Sequence, residues 1–146
     1  YSASLAIISI IFMLIVNEKL TILKTEKINN IKEDKITLYS ENKKENVTIN
    51  IDKLIYITID GNYASFFIET ANGIKELILR NTLSNVLKQI TNYPFIFRCH
   101  KSYIINSLFF DEITGNARGY FLKSPKIENK IPVSRSLQKV DLEKLL

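Results

Sequence analysis

From Lys35 onward the chain alternates apolar and polar residues in short runs. This is the period-two signature of strands that bury one face. Ile36 and Leu38 alternate with Thr37 and Tyr39, and after a polar stretch Val47, Ile49 and Ile51 alternate with Thr48 and Asn50, which predicts two strands around a turn. Ile55, Ile57 and Ile59 keep the period until Asp60-Gly61-Asn62 interrupts it, and Tyr63 to Thr70 resumes with aromatic and β-favouring side chains. Asn72-Gly73 predicts a hairpin turn into Ile74 to Leu79, since both residue types tolerate the positive φ such turns need. One interruption has helical spacing instead. Leu83, Val86, Leu87 and Ile90 form an apolar stripe that must pack on a sheet, with Thr82 or Asn81 as the cap and Tyr93-Pro94 as the stop. Phe95 to His100 and Tyr103 to Ile113 predict strands on either side of Lys101-Ser102. A Gly115-Asn116 turn, a strand from Tyr120 to Lys123 and a last strand Ile131-Pro132-Val133 follow. Pro132 has no N–H to donate, so that strand belongs at a sheet edge or a strand end. Ser134 or Ser136 is placed to cap a short terminal helix carrying Leu137, Val140 and Leu145. The fold class expected for residues 35–146 is therefore mainly β: short antiparallel strands with two small helices.

The first 34 residues read differently. Leu5 to Val16 is apolar apart from Ser9, and the only ionisable side chain between Tyr1 and Val16 is that of Tyr1. A membrane segment and a buried helix both fit. Sixteen helical residues reach about 24 Å, short of the roughly 30 Å hydrocarbon core, and the chain opens on Tyr1 rather than Met, so residues 1–16 are expected to be the end of a longer transmembrane helix. A signal peptide is the rival, but no basic stretch precedes the apolar run, and Asn17-Glu18-Lys19 stands where small cleavage-site residues would be. Leu20, Leu23, Ile28 and Ile31 recur at helical intervals, which makes residues 17–34 a helical linker. Lys19, Lys24, Lys27, Lys32 and Lys35 flank the apolar run and orient the rest of the chain to the cytoplasm under the positive-inside tendency. Glu18, Glu26, Glu33 and Asp34 among them equally suit a solvated helix face. The expected location is the cytoplasmic membrane with the C-terminal domain in the cytoplasm, or a soluble cytoplasmic protein if the run packs on its own body.

Composition narrows the chemistry. A chain of 146 residues allows one domain with an appendage, and 46% apolar with 24% charged residues is a folding composition. A net charge of +5 and a pI near 9.2 favour an anionic partner without specifying one. Cys99 is the single cysteine and His100 the single histidine, which leaves neither a disulfide nor a metal-ligand cluster. As neighbours on a strand they point to opposite faces and make no nucleophile and base pair. The glycines at 61, 73, 115 and 119 stand singly in turn contexts, so no phosphate-cradling loop is present. Adjacent Asp111 and Glu112 suit a solvated turn. No enzymatic activity, cofactor or metal is implied.

The cations are placed more tellingly. Arg80, Arg98, Lys101, Arg118 and Arg135 fall at strand ends or in turns, beside Asn62, Asn81, Ser102, Asn116, Ser134 and Ser136. Loops of that composition suit phosphate and base-edge contacts, although turns are polar in most proteins. The order of residues says more. Ile55-Tyr56-Ile57 leading to Gly61-Asn62-Tyr63, then Arg80-Asn81-Thr82-Leu83, then the run from Phe97 through Arg98-Cys99-His100-Lys101-Ser102 to Asn106, then Ile131 through Pro132-Val133-Ser134-Arg135 to Ser136 resembles the LytTR family of DNA-binding domains, from about Ile36 to the end. That resemblance implies a compact β fold, the output domain of bacterial transcription regulators, which presents loops rather than a recognition helix to successive grooves of duplex DNA. It implies base contacts from Asn62 and Tyr63 and from Arg135 in the major groove, with Lys101 between them, where the family more often has Arg or Asn. It implies phosphate contact or loop support from Arg80, Arg98 and Ser102, with Ser134 and Ser136 beside Arg135, and a loop anchor or DNA contact from His100. Asn106 is expected to form a turn, and Tyr103, Ile104 and Ile105 to divide between core and surface.

The function expected is that of a membrane-tethered transcription regulator binding duplex DNA, with weak homodimers on short tandem sites suiting the family. Any sensory input lies upstream or on a partner. A membrane-anchored adaptor using the same β domain to bind protein is the alternative, since tethering restricts access to the chromosome.

Overall fold

The computed structural model describes residues 1–29 and 34–146, in two compact units, Tyr1–Asp34 and Lys35–Leu146. The first holds one helix, α1 (Ser2–Asn29). It continues unbroken past Val16, so the expected boundary between an apolar segment and a linker falls inside one helix; of that linker, Asn30, Ile31, Lys32 and Glu33 lie outside the described residues. The stretch Ser2–Ile22 is long and apolar enough to cross a membrane, and its side chains are exposed around the whole circumference.

In the second unit a five-stranded antiparallel sheet separates two cores. Its strands are β3 (Leu54–Asp60), β4 (Tyr63–Thr70), β5 (Gly73–Arg80), β6 (Ile96–His100) and β7 (Tyr103–Asn106), in the order β5-β4-β3-β7-β6. One face is covered by the hairpin of β1 (Lys35–Tyr39) and β2 (Asn46–Asn50) and by helix α2 (Leu83–Gln89). Leu38, Ile49, Ile57, Phe66, Leu79, Leu83, Val86 and Ile104 fill this first core. The other face is covered at β3, β7 and β6 by a three-stranded sheet, β8 (Glu112–Asn116), β9 (Gly119–Lys123) and β10 (Ile131–Pro132), with helix α3 (Lys139–Leu145). Ile55, Cys99, Ile105, Phe110, Leu122, Ile131 and Leu142 fill this second core.

Central strands sandwiched in this way bury both faces. Ile104 and Ile105 are thus both fully buried, one in each core, with Tyr103 half-buried, rather than divided between core and surface. In β3 a register shift between Leu54 and Tyr56 sends Leu54 to the first core and both Ile55 and Tyr56 to the second.

Other expectations shift locally. The β4–β5 turn is Ala71-Asn72, with Gly73 already in β5 and carrying the positive φ of 121°. The stretch from Tyr103 to Ile113 is not one strand: β7 ends at Asn106, whose side chain caps a 3-10 turn, Ser107–Phe109, by accepting from the Leu108 amide. Asn106 is therefore the turn former expected. The β8–β9 turn is Ala117-Arg118, because Gly115 and Asn116 pair with Tyr120 and Gly119 inside the hairpin. β10 lies at a sheet edge, as Pro132 requires. Neither Ser134 nor Ser136 caps α3; Gln138 stands at that position, and Leu142 rather than exposed Val140 fills the core. The two serine hydroxyls bond each other at 2.9 Å instead.

Candidate nucleic-acid interface

In an antiparallel sheet, alternate strand connections emerge at one end. The β3–β4 turn Gly61-Asn62, the end of β5 at Arg80 and the β6–β7 turn Lys101-Ser102 therefore share an edge. Backbone hydrogen bonds join them laterally. The Asn81 amide donates to the Asn62 carbonyl at 3.0 Å, and the Ser102 carbonyl accepts from the Ile59 amide at 3.3 Å and from the Thr58 hydroxyl at 3.1 Å. Gly61, at φ +57°, supplies the left-handed residue that lets β3 and β4 reverse in two residues.

The exit of β10 joins the same end. The Ser134 amide donates to the Cys99 carbonyl at 2.7 Å, and the Val133 amide to the Tyr120 carbonyl at 3.0 Å. Ser134 then closes a tight turn, accepting from the Leu137 amide on its carbonyl and, at 3.4 Å, from the Ser136 amide on its hydroxyl. Arg135 projects from this turn, exposed. Lys101, Arg118 and Arg135 line one shallow cleft together with His100, Phe121 and Pro132.

Within the β6–β7 turn the side chains support the backbone. The Arg98 guanidinium spans it, donating through Nη2 to the Lys101 carbonyl at 2.6 Å, through Nε to the His100 carbonyl at 3.3 Å and through Nη1 to the Ser84 hydroxyl at 3.2 Å. His100 accepts the Ser102 amide on Nδ1 at 3.1 Å, and its ring lies 5.8 Å from that of Tyr103. Cys99, beneath the turn, is fully buried, and burial pushes its thiol up to about 12, so it is no nucleophile at neutral pH.

The residues predicted for the site thus fall into two groups. Asn62, Tyr63, Arg80, Lys101 and Arg135 are exposed tips, and Tyr63 stands opposite Arg80 across β4 and β5. Arg98, His100, Ser102 and Ser134 hold loop geometry, with Ser136 bonded to Ser134. Asn81 leaves the polar surface altogether. It is buried, its Nδ2 donating to the Tyr39 carbonyl at 2.8 Å and its Oδ1 accepting from Thr82 and Asn85. The sequence places Arg118 in a turn and gives it no role; the cleft brings it beside Lys101 and Arg135, a neighbourhood that arises only when the β8-β9-β10 sheet folds onto β6. Among the described residues, ion pairs involve Lys123 with Glu112, Lys126 with Glu69 and Lys139 with Glu143, and none uses Arg80, Lys101, Arg118 or Arg135. Exposed Asp60 is the acidic residue closest in sequence to these tips.

Comparison with known proteins agrees with this geometry. The model of the LytTr DNA-binding domain matches residues 44–146. Among solved structures the chain is similar to a LytTr DNA-binding domain from Bacillus cereus, with a TM-score of 0.57 and 18% sequence identity, covering 78% of this chain and 97% of that one. At that identity the likeness speaks for the fold alone. No curated relative matches the chain. Since the family match takes in every strand from β2 to β10 and all the exposed tips, the chain belongs to the LytTr DNA-binding domain family, and its function at that level of description is DNA binding in a transcription regulator.

Proposed function

We propose that this chain is a membrane-tethered transcription regulator that reads duplex DNA with the loop tips at one end of its β domain. The observation that carries the reading is the gathering of Asn62, Arg80, Lys101, Arg118 and Arg135 at that end, without a carboxylate partner for any of the four cations among the described residues. Asn62 and Tyr63 on one turn and Arg135 on another enter the major groove, where an arginine engages the O6 and N7 of guanine together. Lys101 lies between them. Arg80 and Arg118 meet phosphates on the flanks, and Arg98, His100, Ser102, Ser134 and Ser136 act chiefly by holding the tips in register. Phosphate contacts of this kind release counterions, so affinity falls steeply with salt.

Tethering rests on α1. The 21 residues Ser2–Ile22 span about 31 Å as a helix, matching the hydrocarbon thickness of about 30 Å. Lys19, Lys24 and Lys27 near its C-terminal end favour a cytoplasmic side for the DNA-binding domain.

Selection from a random duplex pool followed by fluorescence anisotropy tests the DNA reading. Arg135→Ala with Lys101→Ala is expected to abolish discrimination between selected and scrambled duplexes, and unchanged discrimination would overturn it. Alkaline extraction of membranes tests the tether: the chain is expected to stay in the pellet, and its release with soluble proteins counts against a spanning helix.

A further inference from the structure

Strand β5 is an eight-residue edge whose outer side no other strand covers with hydrogen bonds among the described residues. The two-residue turn Ala71-Asn72 makes Thr70 and Gly73 the closing pair, and the bond from the Asn81 amide to the Asn62 carbonyl repeats that phase at the far end. Odd residues of β5 therefore turn their N–H and C=O towards β4, and Ile74, Glu76, Ile78 and Arg80 turn theirs outward. The side chains of those same four residues stand on the face that carries the three-stranded sheet, whose β9–β10 loop, Lys126 to Asn129, borders a cleft with Ile74 and Glu76; Ile78 is nevertheless 58% and Ile74 43% exposed. Edges of this length are commonly blunted by proline, a bulge, short length or charge; β5 has none of the first three, and its charges are Lys75, Glu76 and Arg80, of which Glu76 and Arg80 share the outward backbone phase.

We infer that β5 pairs with β5 of a second copy, antiparallel about a two-fold axis through Ile78. The charges select this register. A two-fold axis through Glu76 would oppose two carboxylates directly, and one through Leu77 would set Glu76 against Ile78 and Arg80 against Ile74. With the axis through Ile78, Ile78 meets its own copy, Glu76 meets the partner's Arg80 and Arg80 the partner's Glu76, while Leu77 faces the partner's Leu79 on the other side. The outward backbone groups of Glu76, Ile78 and Arg80 are in phase for reciprocal hydrogen bonds with these partners. An isologous contact of this kind closes at two copies.

The pairing has a functional consequence that rests on the proposed DNA reading. Antiparallel β5 strands point their Arg80 ends in opposite directions, so the two groove-reading ends face away from each other, and Arg80 is engaged by a carboxylate instead of a phosphate. The paired form cannot place both copies on one stretch of duplex; it is a stored form in competition with side-by-side binding.

Thiol cross-linking of the full chain in detergent micelles tests the pairing, because buried Cys99 leaves an introduced thiol as the reactive one. Ile78→Cys is expected to give a covalent dimer with a short bifunctional thiosulfonate. Ile74→Cys is expected to give little, since the Ile74 copies would lie about 27 Å apart along the strands. Glu76→Arg in the Ile78→Cys background should lower the yield at least several-fold, and adding Arg80→Glu should restore it. Equal yields at 74 and 78, or no rescue by the charge swap, would overturn the pairing. Anisotropy on the Glu76→Arg chain, which keeps Arg80, reads the DNA function separately: cross-linking without DNA binding sinks the proposed function and leaves the pairing standing.

Discussion

The amide of Ser134 lies 2.7 Å from the carbonyl of Cys99, and this one hydrogen bond fixes the exit of β10 to the end of β6. Arg135 follows the first of these residues, and His100 and Lys101 follow the second, so two tips far apart in the chain are set side by side by main-chain atoms. Removing the donor tests the arrangement. Ser134→Pro is expected to lower stability by about 1 to 3 kcal/mol, since it leaves the Cys99 carbonyl unpaired and also removes the hydroxyl that bonds Ser136, and to weaken binding to a selected duplex by roughly tenfold, as a displaced arginine to guanine contact should. Urea melts and anisotropy on the same preparation check both halves. Specific affinity equal to that of the unaltered chain would show that Arg135 does not depend on this link.

Arg98 separates a supporting role from a phosphate contact. Its guanidinium donates to two turn carbonyls and to Ser84, a fork that a lysine cannot reproduce. Arg98→Lys keeps the charge and loses the fork. It should therefore behave nearly as badly as Arg98→Ala, costing about 1 to 2 kcal/mol of stability and weakening DNA binding with little change in salt slope. A lysine variant indistinguishable from the parent would assign Arg98 to a simple phosphate contact.

Two glycines should respond differently to alanine. Gly61, at φ +57°, has open space where a Cβ would go, so Gly61→Ala should cost about 1 to 2 kcal/mol for the left-handed backbone alone. Gly115, at φ +97°, would drive its Cβ into the Gly119 carbonyl across the β8–β9 hairpin. Gly115→Ala should be clearly the more destabilising of the two and should also disturb Arg118 at the hairpin tip. Calorimetry of both variants checks the ranking.

Asn106 is fully buried, donating from Nδ2 to the Leu54 carbonyl at 2.9 Å and accepting the Leu108 amide at 3.0 Å. Asn106→Leu leaves a buried carbonyl and an amide unpaired, which should cost about 2 to 5 kcal/mol. A drop in thermal midpoint of ten degrees or more is expected, and a loss under about 1 kcal/mol would mean that water replaces the side chain.

Cys99 should make the domain alkali-sensitive. Its ordinary pKa of 9.0 is raised to about 12 by burial, so the folded state holds its proton longer than the unfolded chain does. Stability from this group is fully present below about pH 9 and is lost between pH 9 and about 12. Cys99→Ala should show a shallower alkaline fall than the parent in urea melts, over a lower baseline set by lost packing. Parallel curves would remove the thiol from the account.

Much of this architecture is legible in the alternation of residues. The strand cores, helix α2 with its Thr82 cap and the edge position of Pro132 follow from local periodicity and backbone chemistry, which any neighbouring strand must respect. Turn positions were less legible: the β4–β5 and β8–β9 turns each differ by one or two residues from the glycine pairs that suggested them. A glycine can occupy the strand beside a turn as readily as the turn itself.

By itself, the sequence determined the fold class, the family and the set of cations at strand ends, because side-chain period and residue order are properties of the chain alone. Only tertiary structure decided which of those residues are tips and which are props. Asn81, Arg98 and His100 stand at strand ends of the same polar kind as the positions of Asn62, Lys101 and Arg135, and a polar side chain there can face water or the neighbouring backbone at similar local cost. Packing breaks that tie from both faces: α2 and the β1–β2 hairpin hold Arg98 and Asn81 through Ser84 and the Tyr39 carbonyl, and the three-stranded sheet on the other face brings Arg118 and Arg135 to Lys101.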